Sequence, residues 1–80
     1  MSATEKIHAQ IWDRHRLRVV GARLDVAVLV SDDRRAVYRI TVPGGHKGYR
    51  VAWWESLRDH LDTRPTLTPD AGADYRQYAR

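Results

Sequence analysis

The middle of the chain alternates apolar and polar residues with period two. In "ARLDVAVLV", Ala22, Leu24, Val26, Val28 and Val30 alternate with Arg23, Asp25, Ala27 and Leu29. In "AVYRITV", Ala36, Tyr38, Ile40 and Val42 alternate with Val37, Arg39 and Thr41. Residues two apart share one face of a strand. Both runs are rich in β-branched side chains and the polar run "SDDRR" separates them, so the pattern predicts an antiparallel hairpin. A five-residue loop over 31–35 sets Val30 opposite Ala36, Val28 opposite Tyr38, Val26 opposite Ile40 and Leu24 opposite Val42. That register keeps one face apolar throughout, and face consistency is what specifies register. Upstream, "RLRVVG" runs in the other phase through Leu17 and Val19. The slip at Val20-Gly21 reads as a β-bulge in one bent strand over about 16–30, or as a turn at Gly21 between two strands.

The flanks carry helical signals. "SATE" has capping-box spacing, with Ser2 as N-cap and Glu5 three positions on, and Ile7 and Ile11 follow at i,i+4. This favours a helix over about 3–13. Ile7, Ala9 and Ile11 also alternate, so a strand is the competing reading. In "GYRVAWWESLRDHLD", a helix over about 50–62 gathers Trp53, Leu57, Leu61 and Trp54 within an arc of about 100°, the width a core-facing helix needs. Both adjacent tryptophans therefore fit one buried surface, at its two edges. Thr63-Arg64-Pro65 ends this helix. The expected architecture is α+β. An antiparallel sheet of two or three strands (about 16–30 and 35–42) carries the 50–62 helix on one face, with the 3–13 helix beside it. Residues 1–64 form one compact domain, and 65–80 a loosely ordered tail that can form a helical turn at "DYRQYAR" or dock by Tyr75 and Tyr78.

Charge adds a second layer. The net charge of +4 comes from twelve Arg and two Lys against ten acids. It is concentrated between residues 14 and 50, where nine basic residues face only Asp25, Asp32 and Asp33. With the bulge as drawn, Arg16, Arg18, Arg23, Arg35 and Arg39 share the sheet face turned away from the helix. Asp25 lies diagonal to Arg39 and would neutralise it. The bland reading is a solvated polar face. The functional reading is an arginine platform for phosphates or an acidic protein surface, joined by Lys47 and Arg50. The face lacks the exposed aromatics on which RNA-binding sheets stack bases.

Other chemistry is thinly represented. There are no cysteines, which fits a cytoplasmic protein, and no apolar run of membrane-span or signal-peptide character. "PGGHKG" sits where phosphate loops sit, but it lacks the Walker spacing. Its G-x-x-G from Gly45 to Gly48 follows a strand rather than a helix, so a connection, or a lone phosphate contact through His46 or Lys47, is the reading. His8, His15, His46 and His60 have no i,i+4 pair for zinc, and no nucleophile motif appears. The expectation is a non-enzyme with no cofactor and no metal.

In size and style, this short single-domain chain without catalytic motifs resembles the small phage-encoded inhibitors called anti-CRISPR proteins. Many of those are acidic DNA mimics, and this chain departs from them in being basic. The resemblance implies a non-catalytic inhibitor in the host cytoplasm. It would block target binding by a nucleoprotein effector such as a type I surveillance complex, through the Arg face. The alternative is a small DNA- or RNA-binding protein or phage regulator contacting phosphates. Either would act without a membrane, as a monomer or small homo-oligomer.

Overall fold

The structure is a computed structural model and describes residues 1–43, 49–64 and 66–77. Helix α1 (Ala3–His15) leads into strands β1 (Leu17–Arg23), β2 (Val26–Ser31) and β3 (Val37–Thr41), then helix α2 (Val51–Thr63) and a 3-10 turn at Tyr75–Gln77. The sheet is antiparallel with order β1-β2-β3. Among the described residues, no helix is long and apolar enough to cross a membrane.

The ends of α1 follow from local chemistry. Ser2 Oγ accepts the Glu5 N–H at 3.1 Å, as the capping signal predicts. The helix stops at Arg16, whose N–H still bonds the Trp12 carbonyl at 2.9 Å while its left-handed φ of 55° turns the following chain out of the helix. The two helices run side by side in parallel. Arg58 Nη1 donates to Gln10 Oε1 at 2.9 Å, and four residues further along both helices, Arg14 Nη1 donates to Asp62 Oδ2 at 2.7 Å.

Two expectations for the sheet need correction. The bulge is present, with the register shifting between Val19 and Gly21, but the long strand over 16–30 is not. A two-residue turn at Leu24-Asp25 reverses the chain, pairing Arg23 with Val26. Leu24 does not face Val42 across a sheet. It sits at the tip, 59% exposed, with φ at 58°. The Asp25 carbonyl accepts the Val42 N–H at 2.8 Å.

The second correction concerns β2. Its partners in β3 are Thr41 for Val26, Arg39 for Val28, Tyr38 for Leu29 and Val37 for Val30. This is one residue away from the expected register, and a one-residue slip turns every side chain of a strand over. Ala27 and Leu29, not Val26, Val28 and Val30, therefore face the helices with Ile40 and Val42. The turn chemistry explains the slip. Ser31 Oγ donates to Asp33 Oδ1 at 2.6 Å and accepts the Ala36 N–H at 3.1 Å, while the Arg35 N–H reaches Asp33 Oδ1 at 3.0 Å. Ser31 is thus the last residue of β2, its N–H bonded to the Ala36 carbonyl at 3.0 Å. The loop shortens to 32–35, with Arg34 at φ 61°.

One core lies between sheet and helices. Ile7 and Ile11 from α1, Trp53, Trp54, Leu57 and Leu61 from α2, and Leu17, Ala27, Leu29, Ile40 and Val42 form it. Both tryptophans of the adjacent pair are buried, their rings edge-on at 4.9 Å. Trp53 Nε1 donates to the Val42 carbonyl at 2.8 Å, which gives the indole its partner. A second, smaller cluster of Val28, Val30 and Val37 lies on the other face. Residues 66–77, read from the sequence as a loose tail, cross from one face to the other. Leu67 packs on the main core, the Asp70 N–H donates to the Val37 carbonyl at 2.6 Å, and Ala73 packs on the second cluster. This segment straps the outer edge of β3.

Candidate functional site

The arginines predicted to share a face are distributed by this register. Arg18 pairs with Val30, Arg23 with Val26 and Val28 with Arg39, so Arg18, Arg23 and Arg39 lie on the side of the sheet away from the helices. Arg39 Nη1 stands 3.7 Å from Asp70 Oδ2. The partner expected for it, Asp25, is instead in the β1–β2 turn. Arg16 is not on the strand but at the α1 cap, and Arg35 is in the β2–β3 loop, both exposed. Arg50 is the exposed N-cap residue of α2 and makes no side-chain capping bond. Lys47, with the rest of residues 44–48, lies outside the described residues.

The densest basic grouping forms where α1 turns into β1. The left-handed cap at Arg16 folds the strand back beneath the last turn of the helix. The guanidinium carbons of Arg16 and Arg18 come to 5.4 Å and 4.9 Å from the Trp12 ring centre. Both distances are within the range over which a ring face attracts a cation. Trp12 is half-buried, and both arginines are exposed. Among the described residues, neither has a carboxylate within ion-pair distance. Antiparallel pairing of Leu17 with Ser31 brings the Arg34-Arg35 loop to the same end of the sheet. In that loop the Asp33 carboxyl is held below its usual pKa by the Ser31 hydroxyl, then by the Arg35 N–H. Arg23 lies at the far end of β1, roughly 17 Å away for five residues of strand.

Trp12 is the residue that sequence reasoning missed. Its meeting with Arg16 and Arg18 arises at the left-handed cap that ends α1, which nothing in the sequence signals. The nearby Arg14 has a different role. With His15, whose Nε2 lies 2.7 Å from Asp62 Oδ1, it clasps the ends of the two helices. The hydrogen bond from His15 and the charge of Arg14 hold the Asp62 carboxyl below its usual pKa. That contribution to stability is present above the ordinary carboxylate pKa and is lost as pH falls through the lowered one. Among the described residues, no cluster of three His, Asp or Glu side chains could hold a metal ion.

No protein-family model, curated protein or solved structure matches the chain.

Proposed function

We propose that the protein is a non-catalytic, nucleic-acid-associated binding protein that acts through the surface around Trp12, Arg16, Arg18 and Arg23. The observation that carries this reading is the exposed pair of guanidiniums over the Trp12 ring. Arginine neutralises phosphates, and a neighbouring aromatic ring offers a stacking surface to a base in a single strand. Such contacts are sequence-tolerant, in keeping with a surface built from charge and one ring.

A second reading uses the same surface. As an anti-CRISPR-like inhibitor, the protein would block target binding by a nucleoprotein effector complex. Leu24 favours it: a large apolar side chain, 59% exposed beside Arg23, is a contact that a protein partner uses and a phosphate chain does not. Gel shifts with single- and double-stranded DNA and RNA separate the two. Retardation of naked single strands by the wild type, weakened in Trp12→Ala, supports the first. No retardation of any nucleic acid, with loss of target-DNA binding by a purified surveillance complex, supports the second and overturns the first.

A further inference from the structure

The outer edge of β3 is bonded at one end only. At the two ends of the β2–β3 ladder, the Val42 N–H donates to the Asp25 carbonyl and the Ser31 N–H to the Ala36 carbonyl. Bonding alternates along an antiparallel strand. Tyr38 and Ile40 therefore bond β2, while Val37, Arg39 and Thr41 turn their N–H and C=O groups to the open edge. The strap uses the first of these positions, its Asp70 N–H donating to the Val37 carbonyl at 2.6 Å. Among the described residues, the backbone groups of Arg39 and Thr41 have no hydrogen-bond partner. Beside them, a cleft of about 280 Å³ separates β3 from residues 66–68 of the strap and from the end of α2. Tyr38, Arg39, Ile40 and Thr41 all line it. Consecutive strand residues point to opposite faces, so a cleft that touches all four follows the edge of β3 rather than either face. β1, the other edge strand, is broken by its bulge between Val19 and Gly21, and bulged edges resist an added strand. β3 pairs without a bulge from Val37 to Thr41.

We propose that the β3 edge over Arg39–Thr41 takes an extended, acidic segment of a partner protein as a fourth strand. The N–H and C=O groups of Arg39 and Thr41 would bond it, and such main-chain bonds are the source of affinity in strand addition. The partner residue opposite Ile40 shares the face of Ile40. It enters the cleft between Ile40 and Leu67, both anchored in the main core, which favours an apolar side chain there. Its two neighbours lie on the outer face beside Arg39, where a carboxylate is favoured. The Arg39 contact with Asp70, at 3.7 Å, is longer than a charge-assisted hydrogen bond of about 2.7–2.9 Å and leaves the guanidinium free to pair. Among the described residues, no carboxylate lines the cleft. A second copy of the chain would set one net charge of +4 against another, which favours an acidic partner instead. Trp12, Arg16 and Arg18 lie beside β1 at the opposite edge, so this site stands apart from the nucleic-acid surface.

The test is an NMR titration of the full chain, read by amide shifts and hydrogen exchange. The probe is a seven-residue peptide of alternating Glu and Val, blocked at both ends. A copy N-methylated at every Glu keeps the side chains and charge but loses the donors along one edge. In the free chain, the Tyr38 and Ile40 amides should exchange slowly and those of Arg39 and Thr41 fast. The peptide should shift Arg39–Thr41 saturably and slow the exchange of Arg39 and Thr41. The N-methylated copy should bind about tenfold or more weakly, the loss of two hydrogen bonds. Arg39 is exposed, so Arg39→Glu should keep the spectrum of the fold and weaken the peptide by about tenfold or more. Absence of saturable shifts, shifts centred on Arg16–Arg23, or equal binding of the N-methylated copy would overturn the proposal. Slow exchange of the Arg39 and Thr41 amides in the free chain would also overturn it, because the strap or a second copy would then already cover the edge.

Discussion

The His8 ring meets Trp54 edge-on at 4.4 Å, and its Nε2 is shut away from water with no hydrogen-bond partner. Burial pushes the imidazole below its ordinary pKa, against a smaller upward pull from Glu5. The unfolded chain therefore takes up a proton at a pH where the folded chain does not. On this account His8 lowers stability as pH falls from about 7 through the ordinary histidine range towards the depressed folded value. His8→Phe should keep the edge-on contact, relieve the unpartnered nitrogen and flatten part of this slope. Urea melts of both proteins at pH 7 and pH 5 measure it, and equal losses in the two would assign the slope elsewhere. At this scale the sequence was readable where helical arc alone decides burial. The 100° arc placed Trp53 and Trp54 in the core, where they lie. It could not place Trp12, whose surroundings depend on a left-handed cap at Arg16, a conformation that an arginine does not signal.

Among the elements, α2 was legible from its single apolar arc and β3 from its alternation, while α1 was favoured by its Ser2 cap and the Ile7–Ile11 spacing although the alternation of Ile7, Ala9 and Ile11 left a strand open. The bulge implies one face shared by Leu17, Val19, Ala22 and Leu24; the first three face the helices, and Leu24 instead sits exposed in the turn. β2 was not legible. "VAVLV" is apolar at every position, so either parity offers an apolar face, as in strands covered on both sides. The choice was made outside the strand, by the Ser31–Asp33 turn, the turn at Leu24-Asp25, and the strap that covers Val28, Val30 and Val37. Neither turn has a glycine at its positive φ. Leu24 and Arg34 occupy positions that turns usually give to Gly or Asn. Leu29 is fully buried against the helices, so Leu29→Ala should cost about 2–5 kcal/mol of stability. A variant that melts like the wild type would place Leu29 on the opposite face and restore the register read from the alternation.

For the molecule as a whole, charge supplies the functional reading. The excess of cations between residues 14 and 50 was visible in the sequence, but its arrangement was not. The expected single platform becomes a Trp12–Arg16–Arg18 group beside the β1 edge, with Arg23 at the far end of β1 and Arg39 beside Asp70 at the β3 edge. The central claim is that the Trp12 group holds nucleic-acid phosphates, and titration of a labelled 20-nucleotide single strand tests it most directly. The wild type is compared with the Arg16→Glu, Arg18→Glu, Arg23→Glu triple variant at 0.05 and 0.2 M salt. If three phosphates are neutralised, counterion release predicts a fall in wild-type affinity of roughly 20-fold over that range. The triple variant should bind at least tenfold more weakly at 0.05 M. Its melting should drop only by what the two contacts with Trp12 contribute, about 0.5–1 kcal/mol each at exposed sites. A folded triple variant that binds like the wild type, or wild-type binding indifferent to salt, would contradict the account.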